Sequence, residues 1–357
     1  MTGLDLSLDA AALTVVLCDI ESVSGREAAL ADTVENALRA VPHLSVDRDG
    51  DAVVARTELG RDERVVVAGH LDTVPVADNL PCRVENDRIH GCGTTDMKSG
   101  VAVALRLARS LAEPNRDVTW VFYDNEEVEA DRNGLGCLAR NHPDWLAGDF
   151  AVLMEPTNAI VEAGCQGTMR ADVVLHGHRA HSARSWMGRN AVHAAGEVLR
   201  RLEAYDAAEV VIDGLVYREG LNAVGIVGGV AGNVIPDECR VLVNYRFAPD
   251  KSEQDAAEVV RRVFAGYDVE VSDSAPGARP GLSHPAAAAF VAMTGRPPQP
   301  KFGWTDVSRF SALGVPAVNY GPGDPSVAHT REEYVDVAAI HECEQRLRTW
   351  LGSPQSG

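Results

Sequence analysis

The sequence lacks the features that would place it in a membrane or on nucleic acid. No apolar run among its 357 residues approaches the roughly 20 residues that a membrane-spanning helix needs. Lysine plus arginine number 33 against 52 aspartates plus glutamates, and the resulting net charge of −19 repels phosphate backbones and anionic lipid. We therefore expect neither nucleic acid nor a membrane as a partner.

Cysteine is sparse and scattered. The seven cysteines include no C-x-x-C pair, which excludes a thiolate-rich structural zinc site and fits free thiols in a reducing cytoplasm. No basic residue precedes Arg26, whereas a secretory signal begins with a charged segment. We expect a cytoplasmic location, and we expect any bound metal to be held by histidine and carboxylate side chains.

Several catalytic motifs are also missing. The chain contains neither the G-x-x-x-x-G-K-[ST] phosphate-binding loop nor the G-x-S-x-G motif of serine hydrolases. Residues 228–232 are rich in glycine, but Asn233 and a Val-Ile-Pro segment follow them instead of a helix. Dinucleotide binding is therefore not predicted.

Continuous apolar runs predict buried parallel strands in the first part of the chain. Residues 64–69, 118–123 and 150–154 form such runs, and segments with helical periodicity separate them. Strands that alternate with helices predict an α/β layered domain. Before these runs, the dipeptide Asp49-Gly50 predicts a hairpin with a type I′ turn.

The pattern changes in the middle of the chain. Between residues 169 and 272 the predicted order is β-α-β-β-α-β, which is the ferredoxin-like arrangement. A Pro/Gly-rich linker follows, and alternating helices and strands then resume. We expect one α/β domain, formed by residues 1–167 and 282–357, to be interrupted by an inserted α+β domain formed by residues 168–281.

Five polar clusters lie at the ends of the predicted α/β strands or in nearby loops, which is where ligands bind to such sheets. They are centred on His70 with Asp72, on Asp96, on Glu126 with Glu127, on Glu155, and on His329. Two metal ions that share one carboxylate would use this set of side chains fully. Histidine with carboxylate suits Zn²⁺ best, with Co²⁺ or Mn²⁺ as possible substitutes.

Three of these clusters also have a purely structural interpretation. His70 could be a satisfied histidine in a surface turn, and Asp96 could cap the helix that follows it. Glu126 and Glu127 could start a helix, because the helix dipole favours acidic residues there. Packing explains Glu155 poorly, and the recurrence of a carboxylate at successive strand ends favours the metal hypothesis.

In order along the chain, these segments resemble the di-zinc aminoacylase and carboxypeptidase family of metallohydrolases. The shared pattern is G-H-x-D-x-V-P at residues 69–75, G-x-G-x-x-D-M-K at residues 91–98, a Glu-Glu pair, a further acidic residue and a C-terminal histidine. The resemblance implies a three-layer α/β/α zinc-exopeptidase-like catalytic domain. It also implies that the inserted ferredoxin-like domain is a lid and a dimerisation domain, so the expected protein is a homodimer.

The resemblance assigns metal ligands residue by residue. One zinc ion would be bound by His70, Asp96 and Glu155, and the other by Asp96, Glu127 and His329. The carboxylate of Asp96 would bridge the two ions. The resemblance also implies a cis peptide bond after Asp96.

Roles in catalysis and in substrate binding follow from the same resemblance. Glu126 would be the general base, Asp72 would orient His70, and His181 would support the oxyanion across a dimer interface. The implied substrate-binding residues are Arg246, Asn233 and Thr305.

Within the family, the resemblance is strongest to the desuccinylases, through residues 162–168, the segment around His181, and residues 303–310. It implies a small anionic N-acyl amino-acid substrate and hydrolysis of N-succinyl-LL-2,6-diaminopimelate to LL-2,6-diaminopimelate and succinate. Acetylornithine deacetylase, aminoacylase and dipeptidase activities are alternatives within the family. An inactive metal-binding scaffold protein is an alternative from a different class, and the presence of both Glu126 and His181 argues against it.

Overall fold

The computed structural model describes residues 3–352. The chain divides into two compact units. The first unit is made of three stretches, Met1–Ala163, Pro280–Gln299 and Asp306–Gly357. The second unit is made of Gly164–Arg279 and Pro300–Thr305. The domain boundaries given above, 168–281 for the inserted domain and 1–167 with 282–357 for the other, stay a prediction.

Helices and strands alternate along both units. The α-helices, in chain order, are α1 (Ala10–Cys18), α2 (Ala28–Arg39), α3 (Ser99–Ser110), α4 (Gly134–Asn141), α5 (Ala191–Glu203), α6 (Glu253–Val263), α7 (Pro285–Thr294), α8 (Val307–Ala312) and α9 (Val337–Gly352). The strands are β1 (Ser45–Asp49), β2 (Ala52–Arg56), β3 (Arg64–His70), β4 (Arg83–Glu85), β5 (Arg88–His90), β6 (Asp117–Tyr123), β7 (Phe150–Leu153), β8 (Glu162–Ala163), β9 (Gly167–His176), β10 (Ala180–His181), β11 (Glu209–Ile212), β12 (Leu215–Arg218), β13 (Gly220–Gly228), β14 (Val234–Ile235), β15 (Glu238–Phe247), β16 (Asp268–Ala275), β17 (Gln299–Pro300), β18 (Ala317–Asn319) and β19 (Tyr334–Asp336). Within the described part of the chain, no helix has both the length and the apolar character required to cross a bilayer.

A mixed eight-stranded sheet forms the centre of the first unit. Its strand order is β1-β2-β6-β3-β7-β18-β8-β17, and the four strands β6, β3, β7 and β18 run parallel to their neighbours in that group. Strands β3, β6 and β7 are buried at nearly every position. Because successive side chains of a strand point to opposite faces, both faces of this sheet are covered, as the apolar runs predicted.

Helices pack on the sheet and give the α/β/α layering that the resemblance implied. Helices α1, α3 and α9 contact one another, and α3 also packs on β3 and β6, whereas α2 packs on β1 and β2 and α8 packs on β7. Gly100 permits the close approach of α3, because a Cβ atom there would lie 2.3 Å from the carbonyl oxygen of Met154. The start of α3 is thus held against the end of β7.

Lys98 joins α1 to the segment that precedes α3. Its side chain is buried, and its ammonium group donates hydrogen bonds to the backbone carbonyls of Leu17 at 3.2 Å and Ile20 at 2.9 Å. Burial lowers the pKa of Lys98. Carbonyl groups at the C-terminal end of a helix lack partners within the helix, so a cation there stabilises the end of α1.

The second unit contains the predicted ferredoxin-like arrangement. Its antiparallel sheet has the order β13-β15-β9-β16, so the strands of the β-α-β-β-α-β sequence lie in the order 2-3-1-4. Helices α5 and α6 pack on one face of this sheet. Strand β15 alternates between buried and less buried positions, and its side chains Val241, Val243, Tyr245 and Phe247 belong to the core under the helices.

The hairpin of β1 and β2 forms as expected, but the predicted type I′ turn is wrong. Asp49 pairs with Ala52, so the two turn residues are Gly50 and Asp51. Only Gly50 has a positive φ, 61°, whereas a type I′ turn requires positive φ at both central positions.

A second hairpin, formed by β11 and β12, was not predicted. Its turn residues are Asp213 and Gly214, with φ values of 50° and 81°. An Asp-Gly pair between alternating apolar residues is a strong hairpin signal, so the sequence contained the information needed to find it.

Candidate metal centre

Parallel strands of the first unit carry polar residues to one edge of its sheet. His70 is the last residue of β3, Glu126 and Glu127 come soon after β6, and Glu155 comes soon after β7. His70 is 1% exposed, which rules out the surface-turn alternative for this residue. Glu126 and Glu127 lie in a turn and not at the start of a helix, so that alternative is wrong as well.

Asp96 reaches the same edge from a tightly bent loop before α3. Gly93 in this loop has a φ of 80°, and a Cβ atom there would lie 2.6 Å from the methyl carbon of Thr73. The Asp96–Met97 peptide bond is cis. The side chain of Asp96 does not cap α3, whose N-cap residue is Lys98 with no side-chain hydrogen bond. The capping interpretation of Asp96 is therefore wrong.

Two histidines and two carboxylates meet here. Nε2 of His70 lies 3.2 Å from Oδ1 of Asp96, and Nε2 of His329 lies 3.3 Å from Oδ2 of the same carboxylate. His329 also lies 2.7 Å from Oε1 of Glu127. One potential ligand atom each from His70, Asp96 and Glu127 lies within 4.8 Å of the other two. Imidazole nitrogens mixed with carboxylate oxygens are a donor set that fits Zn²⁺ and similar divalent ions.

The electrostatics of this cluster favour a cation. Hydrogen bonds with Asp96 and Glu127 raise the pKa of His329 to about 10. Burial disfavours charge on His70, but Asp72 and Asp96 outweigh burial and raise the pKa of His70 well above its usual value. Burial also disfavours the Asp96 anion, yet the two imidazoles overcome it and lower the pKa of Asp96. Carboxylates that stabilise positive charge so strongly would also stabilise a divalent cation in the same place.

Glu126 lies beside the cluster in a different electrostatic environment. Burial raises the pKa of Glu126 well above its usual value, and the charges of Glu155, Asp306 and Glu127 raise it further, against the opposing effect of His70. A carboxyl group with a raised pKa can both accept and return a proton near neutral pH. This is the behaviour required of a general base that later acts as an acid.

Asp72 connects the two functional strand ends. Its side chain lies 3.4 Å from Nδ1 of His70, and its own backbone carbonyl lies 3.0 Å from the same nitrogen. The Asp72 carboxylate also accepts hydrogen bonds from the backbone N–H groups of Glu126 and Glu127, both at 3.0 Å. Asp72 therefore holds the ring of His70 and also the turn that carries the glutamate pair, a second contact that the sequence did not reveal.

Glu333 is a buried residue of the site that sequence reasoning did not single out. Its carboxylate accepts backbone N–H hydrogen bonds from Gly93 at 3.1 Å, Thr95 at 2.9 Å and Asp96 at 3.1 Å. Burial raises the pKa of Glu333 to about 7, although the three N–H groups act in the opposite direction. Glu333 thus fixes the backbone of the loop that presents Asp96. The acidic pair Glu332-Glu333 near His329 was the available signal.

Asp306 is a second buried carboxylate that was not singled out. It is fully buried, accepts a hydrogen bond from the amide of Asn133 at 2.9 Å, and forms an ion pair with Arg309. Its charge is one of those that raise the pKa of Glu126. Asp306 therefore links α8 to the residues that follow the glutamate turn, and it also helps to set the proton affinity of Glu126.

The other predicted site residues belong to the second unit. His181 is exposed at the end of β10, and its Nδ1 accepts a hydrogen bond from the backbone of Ala183 at 3.0 Å. Pairing of β10 with β14 sets His181 opposite Val234, which brings it close to the exposed Asn233. Arg246 lies half-buried on β15, and Thr305 is buried.

Similar sequences are known from other organisms. A sequence profile of Peptidase family M20/M25/M40 matches residues 66–352. A Mycobacterium tuberculosis protein named "Putative succinyl-diaminopimelate desuccinylase" is 57% identical over 352 residues, which cover 98% of this chain and 99% of that protein. The succinyl-diaminopimelate desuccinylase of Corynebacterium glutamicum is 49% identical over 98% of each chain.

Solved structures with low sequence identity share the fold. An aminopeptidase from Bacillus cereus superposes with a TM-score of 0.77 at 15% identity and covers 98% of each chain. An M20 family metallo-carboxypeptidase from Sulfolobus solfataricus has a TM-score of 0.76 at 15% identity, over 96% of this chain and 98% of that chain. These structures establish the fold, whereas the profile match and the two relatives at 57% and 49% identity establish the family. The chain belongs to peptidase family M20/M25/M40.

Proposed function

We propose that the protein hydrolyses N-succinyl-LL-2,6-diaminopimelate to LL-2,6-diaminopimelate and succinate, a step of lysine and peptidoglycan-precursor biosynthesis. Its family makes it a metal-dependent hydrolase of amide bonds. The observation that carries the substrate assignment is the near full-length similarity to two desuccinylases, at 57% and 49% identity. An acetylornithine deacetylase from Myxococcus xanthus is only 28% identical, over 79% of this chain.

We propose that residues of the first unit hold two divalent metal ions, and that these ions are zinc. His70, Asp96 and Glu155 would hold one ion, and Asp96, Glu127 and His329 would hold the other. The distances of 3.2 and 3.3 Å from Asp96 to the two imidazoles support a shared carboxylate. When bound, such ions polarise a carbonyl group and lower the pKa of water. Co²⁺ or Mn²⁺ would be acceptable substitutes, because the donor set contains no thiolate.

The protein groups then supply proton transfer and orientation. Glu126 takes a proton from the attacking water and returns it to the departing amine, a role that its raised pKa supports. Asp72 keeps His70 in place through the 3.4 Å contact and keeps Glu126 in place through the backbone hydrogen bond. His181 donates a hydrogen bond to the oxyanion of the tetrahedral intermediate.

Substrate recognition is assigned to the second unit. Arg246 suits a carboxylate because its planar guanidinium can donate two parallel hydrogen bonds. Asn233 and Thr305 would contribute polar contacts. This unit would bind the anionic parts of the N-acyl amino acid.

We also propose that the protein is a homodimer that pairs through the second unit. Trp186 is 79% exposed and Val224 and Val227 are both 63% exposed, which is unusual for large apolar side chains. Strand β13 is an edge strand whose unpaired backbone groups can bind another chain. The exposed His181 would then act on the partner's substrate. A sedimentation experiment that finds only active monomer would contradict this part of the proposal.

The location is proposed to be the cytoplasm. No disulfide joins any of the seven cysteines, all of which lie within residues 3–352, and five of them are buried. This is the state that a reducing compartment maintains.

The decisive test combines one variant with a substrate panel. Glu126→Gln should retain the metal and the fold but lower kcat by several powers of ten, because it removes the base alone. The panel contains N-succinyl-LL-2,6-diaminopimelate, N-acetylornithine, N-acyl amino acids and dipeptides. Faster hydrolysis of any other member would reject the proposed substrate. Absence of hydrolysis across the panel by metal-loaded protein would favour an inactive scaffold.

A further inference from the structure

The sheet of the second unit has one face covered by helices and one face that the helices leave open. Met169 and Tyr245 point into the core beneath α5 and α6. Because side chains alternate along a strand, the intervening residues of β9 and β15 share the opposite face. On this open face lie Thr168, Arg170, Asn244 and Arg246.

The two ends of the open face differ in charge balance. Arg240, at one end, has three carboxylates within 3.4 Å, which belong to Glu270, Glu238 and Asp172. At the other end, neither Arg170 nor Arg246 forms an ion pair with any carboxylate in residues 3–352. Asp273 is the register partner of Arg170 on β16, and still no ion pair joins them. One end of the face therefore has more carboxylates than arginines, and the other end keeps two arginines without an ion pair in the described chain.

The lack of a partner is most informative for Arg246. Of the arginines that form no ion pair within the described ranges, Arg246 alone is half-buried, and the others are exposed. Burial lowers the pKa of Arg246, and the positive charge of Arg170 lowers it further. Partial burial of an unpaired charge beside a like charge is unfavourable, and it persists here in a chain with 52 acidic and 33 basic residues. An anion that binds from outside would remove this cost.

Register places the two guanidinium groups within reach of one ligand. Arg170 lies opposite Asn244, so Arg246 is its diagonal neighbour on the adjacent strand. Diagonal neighbours are about 7–8 Å apart, a distance that two arginine side chains span easily. Asn244 donates its amide hydrogens to Thr168 at 3.2 Å and to the carbonyl of Met169 at 3.3 Å, which leaves the two arginines as the cationic donors at this end.

We propose that Arg170 acts together with Arg246 to bind carboxylate groups of the substrate, and that Arg170 is a specificity-determining residue of this enzyme. The inference rests on the proposed function, since it requires a substrate with several carboxylates. N-succinyl-LL-2,6-diaminopimelate has one on the succinyl group and two on the amino-acid part. Each guanidinium can bind one carboxylate through two parallel hydrogen bonds.

The test compares variants on substrates that each lack one carboxylate. N-acetyl-LL-2,6-diaminopimelate lacks the succinyl carboxylate, Nα-succinyl-L-lysine lacks the distal one, and Nε-succinyl-L-lysine lacks the one beside the amide. Arg170→Met should lower kcat/KM for the complete substrate by about 10- to 100-fold, because a charge-assisted hydrogen bond is lost. The same variant should lose far less on the one analogue that lacks the contacted carboxylate. The kcat/KM of Arg170→Lys for the complete substrate should fall between those of Arg170→Met and the unmodified enzyme.

Arg261→Met is the matched control, since Arg261 is an exposed arginine of α6 without an ion pair in the described chain. This control should behave as the unmodified enzyme does on all four substrates. If Arg170→Met resembles the control, or if it lowers kcat/KM equally on all four, the inference is wrong while the proposed function stands. If the unmodified enzyme hydrolyses no succinylated substrate, the proposed function fails and this inference fails with it.

Discussion

The contact between Glu333 and the loop that carries Asp96 leads to a sharp prediction. In Glu333→Gln, the amide oxygen can keep the hydrogen bonds from Thr95 and Asp96, but the NH₂ group then faces the N–H of Gly93. One buried donor is left without an acceptor, which costs about 1–3 kcal/mol. Mutation of a residue that orients a metal ligand typically lowers metal affinity by roughly 10- to 100-fold. We therefore expect Glu333→Gln to raise the metal concentration that gives half-maximal activity by about the same factor.

The assay is a titration of metal-depleted enzyme with Zn²⁺, followed by activity and by direct measurement of bound metal. At saturating metal, kcat should return close to the value of the unmodified enzyme, because Glu333 positions Asp96 and does not itself take part in proton transfer. Glu332→Gln is the matched control, since Glu332 is the exposed neighbour of Glu333 and loses the same charge. Equal metal affinity in the two variants would refute the positioning role.

Two further predictions concern the stability of the first unit. Asp117 accepts N–H hydrogen bonds from Leu59 at 2.8 Å and Arg61 at 2.9 Å, and these overcome burial and lower its pKa. Asp117→Asn should therefore lose about 1–3 kcal/mol of unfolding free energy at pH 7, and the difference should persist at pH 5 and shrink by pH 3, where the unmodified carboxylate also gains its proton. A difference that grows with acid would contradict the stated cause. Gly93→Ala should destabilise the protein by more than about 1–2 kcal/mol, because its left-handed backbone and its contact with Thr73 both oppose a Cβ atom. Thr73→Ser in the same chain should recover part of the loss in urea denaturation, since it removes the methyl group concerned, and no recovery would reject the steric explanation.

Much of the fold could be predicted because apolar periodicity is a local property. The runs at 64–69, 118–123 and 150–154 are buried on both faces, so their sequence identifies them as central strands without any tertiary information. The hairpin of β4 and β5 was missed because its strands are short and mostly exposed, and its turn uses Asn86 and Asp87. Short exposed strands carry almost no hydrophobic signal.

The candidate site divides in the same way. His70, Glu127 and Glu155 could be found because each lies at or just beyond the end of an apolar strand, and parallel strands end at a common edge. Glu333 could not be separated from Glu332 in sequence, since only the folded loop brings three N–H groups to one of the two carboxylates. The unpaired state of Arg170 likewise depends on which carboxylates the register brings near it, and composition alone does not contain that information.

The residues around Asp96 come from positions between 70 and 333, and the whole second unit is inserted among them. During synthesis, the ribosome must therefore translate the whole inserted unit and the residues up to Glu333 before the site can form. Only then can His329 and Glu333 join the residues around Asp96. A protein released too early would have most of its sheet and no complete binding place for a cation. Metal binding should consequently occur late in folding and stabilise only chains that already contain His329 and Glu333.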